Sequence, residues 1–90
     1  MGEISFKVIE DKGLIAIAPT GWEKRLRIVS WNDNKPKFDI RDWEPDERTG
    51  EPGVQRMSKG LTLTRQEMMS LHNLLIDIYG PEKVEINEEV

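Results

Sequence analysis

The sequence contains no cysteine and a single histidine, His72. Without thiols the chain has no disulfide, no thiolate nucleophile and no zinc ribbon. One imidazole is too few for a His-rich metal site and makes a Ser-His-Asp triad a poor candidate. Glycine-rich phosphate loops and the G-x-S-x-G nucleophile motif do not occur either. We therefore predict a protein that is not an enzyme and that uses neither a metal nor a cofactor.

Apolar residues are also scarce, because 37% of the 90 residues are hydrophobic and 33% are charged. A chain of this length buries only about 60% of its unfolded surface, so we expect it to enlarge its core as a homodimer. No apolar run approaches the roughly 20 residues that span a bilayer. The first residues, 1–6, lack the basic and apolar regions of a signal peptide. These features predict a cytoplasmic protein with no membrane partner.

The net charge of −4 hides a separation of charges along the chain. Residues 22–65 hold ten bases and eight acids, whereas residues 66–90 hold one base and six acids. Affinity for nucleic acid follows local charge more closely than total charge, so an acidic chain can still carry a basic binding face. Whether the ten bases share a face depends on the strands that carry them.

Hydrophobic alternation predicts one mainly β domain over residues 1–80, followed by an acidic tail over residues 81–90. The charged stretch 44–59 carries two prolines and two glycines, which is typical of a long loop. The short segment 60–63 fits either a fifth strand or the lead-in to a helix. Strands are expected at residues 5–10, 14–18, 22–31 and 37–43, with a turn at residues 11–13 and a hairpin loop at residues 32–36.

A capping box gives the clearest local prediction. Thr64 and Glu67 stand at the N-cap and N3 positions, and apolar residues follow at helical spacing. Gly80 and Pro81 form a standard stop. The sequence thus predicts a helix over residues 65–79 and an α+β fold, in which an antiparallel sheet of four or five strands precedes one C-terminal helix (β-β-β-β-α).

Alternation in the third and fourth predicted strands indicates which side chains share a face. One face would pack its apolar residues under the helix, and these are Leu26, Ile28, Phe38 and Ile40. The opposite face would expose four cations and two tryptophans, which are Arg25, Arg27, Trp31, Lys37, Arg41 and Trp43.

Cations beside indole rings are what an unpaired nucleic acid strand needs. Bases stack on indoles for roughly 1–3 kcal/mol each, and cations bind the phosphates. A duplex hides its base faces, so the pattern favours single strands. Three alternatives stay open: RNA in place of DNA, a protein-interaction module that uses the same face, and a structural role. In the structural role the tryptophans would pack the core and Asp39 would pair with Arg25 or Arg27.

Two motifs resemble the C-terminal domain of the transcriptional coactivator positive cofactor four. Residues 38–43 read FDIRDW, and residues 59–64 read KGLTLT just before the helix. Gly21-Trp22 and the segments 29–33 and 36–41 are closer still to small bacterial relatives, the YdbC-like proteins. The resemblance implies a curved β-β-β-β-α unit that dimerises and binds single-stranded DNA with little sequence preference, with a role in transcription, replication or repair and a possible contact with the transcription machinery.

The resemblance also implies roles for individual residues. Trp31 and Trp43 correspond to stacking aromatics of the family, and Arg41 and Lys59 to its phosphate or base contacts. The family's basic loop is matched by Lys35 and Lys37, and Trp22, shared with the bacterial branch, would either stack or pack. The acid-rich stretch 44–51 departs from the family pattern, as does Ser58, which stands where a second base can occur.

Overall fold

The computed structural model describes residues 5–45 and 55–86. It contains four strands and one helix, in the order β1 (Phe6–Ile17), β2 (Glu23–Trp31), β3 (Lys37–Trp43), β4 (Leu61–Leu63) and α1 (Arg65–Tyr79). Each strand pairs antiparallel with the next, so the sheet order is β1-β2-β3-β4. The predicted α+β class and the order of elements are confirmed. Residues 46–54, within the predicted loop, and 87–90, within the predicted tail, lie outside the described residues.

The turn predicted at residues 11–13 is wrong, because β1 is one continuous strand of 12 residues. Its pairing with β2 shifts register between Asp11 and Gly13, and at two further points. Gly13 has a φ of 145°, and its N–H donates to the Asp11 carboxylate over 2.9 Å. The residues expected to form a turn are thus an irregularity within one strand. Irregularities of this kind bend the strand and increase its local twist.

The helix begins as predicted. The Thr64 hydroxyl accepts from the Glu67 N–H over 3.1 Å, and the Glu67 carboxylate accepts from the Thr64 N–H over 2.7 Å. This reciprocal pair satisfies donors that the first helical turn would otherwise leave free. At the other end Gly80, with a φ of 88°, donates its N–H to the Ile76 carbonyl.

The core lies on the face of the sheet that was expected to be solvated. Among the described residues the fully buried apolar side chains are Phe6, Val29 and Trp43, with Val8, Trp31 and Met57 packed partly against them. The predicted core residues on the opposite face are only half-buried. We call the first side the arginine face, and its residues are Arg25, Arg27, Trp31, Asp39, Arg41 and Trp43. The other is the helix face, and its residues are Leu26, Ile28, Phe38 and Ile40.

Curvature of the sheet explains this reversal. In the β2–β3 register Trp43 lies opposite Glu23, at the far end of the pair from Trp31. Nevertheless the two indole centroids are 6.4 Å apart with an interplanar angle of 16°. Side chains from opposite ends of two strands meet only if the sheet bends towards them, so the arginine face is concave. Phe6 lies against both indoles, at 5.8 Å from Trp31 and 5.4 Å from Trp43.

The helix face is the convex side of the sheet, and it leaves much apolar surface uncovered. No residue of α1 is buried, and the helix contacts only β3 and β4 of the sheet. Contiguous apolar surface of this kind usually marks an interaction site in a folded protein. The large apolar side chains exposed on the helix are Met69, Leu74, Leu75, Ile78 and Tyr79.

Candidate nucleic-acid interface

The pairing of β2 with β3 brings the predicted arginines together. Arg25 lies opposite Arg41, and Arg27 lies opposite Asp39. Two-residue periodicity then places all four side chains on the arginine face, as alternation within the strands predicted. Their environment, however, differs from the solvated one expected.

Trp43 is not available on the surface, which corrects the expectation that its indole points to solvent. Its side chain is 0% exposed, because β3 bends inward and the segment 55–58 returns alongside its end. Glu44 N–H donates to the Arg56 carbonyl over 2.9 Å, and Trp43 forms a β-bridge with Met57. In this conformation Trp43 is a core residue and offers no face to a base.

Trp31 is half-buried and retains contact with solvent. The Arg41 guanidinium lies 4.5 Å above the centroid of its ring, and Arg27 lies 4.7 Å from that of Trp43. Both geometries are cation–π contacts. The indole N–H groups of Trp31 and Trp43 are buried, and neither finds an acceptor within residues 5–45 and 55–86. Buried donors without an acceptor cost about 1–3 kcal/mol each, so this cluster is not optimised for stability alone.

Each arginine of the face is held by a carboxylate. Arg25 pairs with Glu23 over 3.0 Å and with Asp11 over 3.3 Å, and Arg27 pairs with Asp11 over 2.8 Å. The bond to Glu23 is the main cause that raises the pKa of Arg25, so this group stays cationic. Asp11, which belongs to β1, therefore bridges two of the predicted site residues. Carboxylates of the same chain thus neutralise most of the positive charge on the arginine face.

Asp39 is the most deeply buried carboxylate among the described residues, with no exposed surface. It accepts from Arg41 Nε over 2.8 and 2.9 Å and from Nη2 over 2.6 Å. Burial raises the pKa of Asp39 above its ordinary value, although the hydrogen bonds and charge of Arg41 and the charge of Arg27 lower it. Arg27, one of the two cross-strand partners expected for Asp39, lies directly opposite it and its charge acts on the carboxylate. The closest partner is Arg41, two residues along the same strand.

Gly60 explains how Arg41 fits between β3 and the segment that enters β4. A Cβ at Gly60 would overlap the Arg41 Cβ and the Ile40 carbonyl, and would come within 2.9 Å of Arg41 Nε. Only a residue without a side chain allows the two segments to approach this closely. The glycine after Lys59 therefore serves the position of Arg41, and Lys59 itself is exposed.

The remaining predicted residues are more scattered. Lys35 and Lys37 are exposed and line a groove beside the first turns of α1. Across residues 5–45 and 55–86 no carboxylate forms an ion pair with Lys35, Lys37 or Lys59. Trp22 is half-buried beside the β1–β2 turn, where its carbonyl accepts from the Ala18 N–H over 2.8 Å. It takes no part in the cluster formed by the other two tryptophans.

Two residues that hold the site were not found from the sequence. Asp11 had been assigned to a turn, and the irregular register of β1 decides that it faces Arg25 and Arg27. Gln55 is buried, accepts from Arg27 over 3.0 Å and donates to the Glu44 carbonyl over 2.6 Å. Nothing in its sequence neighbourhood signals this role, because the contact joins segments 28 residues apart.

Two further properties concern the whole described region. In the ranges 5–45 and 55–86 no three or more acidic, histidine or cysteine side chains group as metal ligands would. Within the same ranges α1 falls short of the length and apolar character needed to cross a membrane.

Comparison with known proteins identifies the family. Residues 18–74 match the family described as Transcriptional Coactivator p15 (PC4), and this match includes β2, β3, β4 and most of α1. An uncharacterized protein of Treponema pallidum (strain Nichols) is 36% identical over 73 residues, which cover 81% of this chain and 78% of that protein. The match over more than half of the chain, on the predicted order of strands and helix, shows that this protein belongs to the PC4 family of transcriptional coactivators.

Proposed function

We propose that the protein is a homodimeric single-stranded DNA-binding protein of low sequence specificity, without a catalytic step, that acts in transcription, replication or repair. Family membership supports nucleic-acid binding in general terms, and the family's description as a coactivator favours transcription and a contact with its machinery. The finer assignment depends on the chemistry of the arginine face and its surroundings.

The observation that carries this proposal is the half-exposed Trp31 with the Arg41 guanidinium 4.5 Å above its ring. Indole and guanidinium planes both stack on unpaired bases, and the guanidinium also binds phosphate. Stacking tolerates any base, because every base has a π-face. The Trp31–Arg41 pair therefore favours single strands of any sequence over duplex.

Exposed lysines supply the remaining affinity in this proposal. Among the described residues of one chain Lys35, Lys37 and Lys59 have no carboxylate to displace, whereas Arg25 and Arg27 would have to exchange Asp11 for a phosphate. A free ammonium binds a phosphate with release of counterions, so the lysines contribute at lower cost. We thus rank the three lysines above Arg25 and Arg27. Trp31 and Arg41 are kept as the stacking pair, although Asp39 holds Arg41, and we assign Trp43 to the core.

The homodimer is supported by what the monomer leaves exposed. The fully buried apolar core of the described residues consists of three side chains, whereas α1 exposes Leu74, Leu75 and Ile78 among others. A second copy that covers the convex side would enlarge the core without covering the arginine face. Two-fold symmetry would then present two binding faces to one strand.

The test is titration of labelled oligo-dT, followed by fluorescence anisotropy at several salt concentrations. Trp31→Ala should weaken binding by roughly tenfold or more, equivalent to one lost stacked base. Lys35→Ala and Lys37→Ala should each reduce the salt slope by about 0.7. The matched control is Lys7→Ala, at an exposed lysine of β1 outside the groove lining, and it should leave the salt slope unchanged. Trp22→Ala decides whether that residue stacks.

Competitors identify the ligand. A duplex of the same length that competes as well as the single strand would contradict the stacking proposal. A matched RNA oligomer that competes better than DNA would assign the site to RNA. A Trp31→Ala variant that loses a protein partner but keeps its oligonucleotide affinity would indicate a protein-interaction module instead.

A further inference from the structure

A groove of about 820 Å³ opens beside α1, between the β2–β3 loop, the start of β3 and the first two turns of the helix. Its apolar lining comes from Ile28, Phe38, Met68 and Met69. Among the described residues that line it, those with a charged side chain are cationic, and these are Lys12, Lys35, Lys37 and Arg65. Lys12 is paired with Glu10 over 2.7 Å, which leaves three cations for a ligand.

This lining defines the chemistry of the occupant. A chain with a net charge of −4 here presents an apolar floor edged by cations, and within residues 5–45 and 55–86 no carboxylate lines it. A segment that alternates acidic and apolar side chains would bury its apolar groups on the floor and place its carboxylates against the edge. Charge complementarity of this kind selects a partner and its register more than it adds affinity.

The chain itself contains such a segment directly after α1. Residues 82–86 read Glu-Lys-Val-Glu-Ile. Val84 is 50% exposed and Ile86 is 90% exposed, so both apolar side chains keep much of their surface open for a partner. The whole tail, residues 81–90, holds four glutamates against one lysine.

The length of the helix decides which copy supplies the segment. Met69, the floor residue nearest the end of α1, lies ten residues before Tyr79. That distance is about 15 Å at 1.5 Å per residue, and an extended chain needs about five residues to return over it. Residues 80–84 of the same chain would be used up by the return, so Val84 and Ile86 cannot both lie on the floor. A second copy with its helix antiparallel to the first has no such limit.

We propose that the groove binds residues 82–86 of a second copy, so that each subunit of the dimer holds the tail of the other. Two-fold symmetry makes the exchange reciprocal. The inference depends on the homodimer proposed above and goes beyond it, because it assigns a partner segment to a defined surface. Since Lys35 and Lys37 belong both to the groove and to the proposed nucleic-acid contacts, the docked tail competes with the strand for them.

The absence of cysteine allows a direct test on the full chain. Lys83→Cys creates a unique site for a nitroxide spin label and leaves the tail glutamates intact. Spin-labelled protein is mixed with unlabelled protein that carries ¹³C-methyl methionine, so that any broadening arises between copies. We expect the Met68 and Met69 methyl signals to broaden, while Met57, on the arginine face, stays sharp. A label at exposed Thr20, introduced by Thr20→Cys, is the control and should broaden neither signal.

The outcomes separate this inference from the homodimer. A dimer mass by light scattering without broadening of Met68 and Met69 overturns the docked tail and leaves the homodimer standing. A monomer mass overturns both. Broadening that appears only when label and methyl groups are on the same chain overturns the assignment to the second copy.

A variant that preserves charge distinguishes docking from general electrostatic attraction. Val84→Ser with Ile86→Ser keeps every glutamate and removes both apolar groups. Docking into the apolar floor should weaken at least about tenfold, and the broadening should be lost with it. Unchanged broadening in this variant would overturn the proposal, because only nonspecific attraction between charges would remain. The same variant should bind oligo-dT more tightly, since Lys35 and Lys37 become free.

Discussion

On the arginine face Arg27 is 4% exposed and Asp39 is fully buried, whereas on the convex side Ile78 of α1 is 67% exposed. The face rich in charge is thus the buried one, and the side rich in apolar groups is open to solvent. Each buried charge is tolerated because a partner of opposite charge lies within hydrogen-bonding distance. Polarity alone therefore does not decide burial in this chain.

Curvature accounts for the difference between the two sides. The concave face encloses its own side chains, so that Trp31 and Trp43 approach across it, with Arg41 over the first ring and Arg27 over the second. The convex side faces outward, and a single short helix covers only part of it. In this small domain the concave face forms the core, and the convex face stays exposed for a partner. Nucleic acid and a second subunit can then bind without competing for the same surface, apart from Lys35 and Lys37.

Removing Trp43 should have the largest effect on stability. Trp43→Ala empties the centre of the small core, and we expect the free energy of unfolding to fall by roughly 3–5 kcal/mol. Urea denaturation followed by circular dichroism measures this change. The matched control is Trp22→Ala, whose indole lies outside the core cluster and should cost much less. Equal costs for the two variants would mean that the arginine face is not the core.

A charge on the convex side should act on association and not on folding. Ile78→Glu places a carboxylate on the exposed apolar stripe of α1, and we expect the dimer to weaken by roughly thirtyfold or more, or about 2 kcal/mol. Sedimentation velocity over a range of concentrations measures the shift. Asn73→Glu adds the same charge elsewhere on the helix and should leave the dimer intact. A mass that does not change in Ile78→Glu would place the dimer interface elsewhere.

Local patterns in the sequence predicted elements and faces well. The Thr64–Glu67 capping box fixed the start of α1, and two-residue alternation correctly grouped Arg25 with Arg41. Both depend on neighbours within a few residues or on one strand pair. The pairing of Asp39 with Arg41 was equally local, because residues two apart on a strand share a face, and it was available from the same pattern.

Features that depend on the bend of the sheet were not predictable in this way. Which face became the core depended on how far Trp31 and Trp43 approach across the sheet, and alternation within a strand says nothing of curvature. The position of Asp11 depended on three register irregularities in β1, and that of Gln55 on a segment returning from a long connection. The apolar side chains of β2 and β3 were expected to form the core, but one helix is too small to cover them.

Asp39→Asn tests whether the arginine face restrains its own cations. The change removes the charge that holds Arg41, and we expect stability to fall by about 1–2 kcal/mol. Affinity for oligo-dT should nevertheless rise, and its salt slope should steepen by about 0.7, because the Arg41 guanidinium becomes free for a phosphate.

A double-mutant cycle with Arg41→Gln tests whether the change in oligo-dT affinity of Asp39→Asn acts through Arg41. If Asp39 acts through Arg41, Asp39→Asn should change binding little in the Arg41→Gln background. A fall in affinity for Asp39→Asn alone would show instead that the carboxylate holds Arg41 in the conformation that binds the strand.

The pH dependence of stability should distinguish burial from charge attraction at Asp39, and it is the smallest effect we expect. Because burial raises the folded-state pKa of Asp39 above its unfolded value, the group contributes most below the unfolded pKa. Its contribution is lost as the pH rises through the folded pKa. The difference in unfolding free energy between wild type and Asp39→Asn should therefore become less favourable to wild type from pH about 3 towards about 7.

Urea denaturation at several pH values measures that difference, in which the other titrating groups largely cancel. A difference that grows with pH would mean that the attraction of Arg41 and Arg27 outweighs burial, and that the concave face stabilises its charges more than it desolvates them.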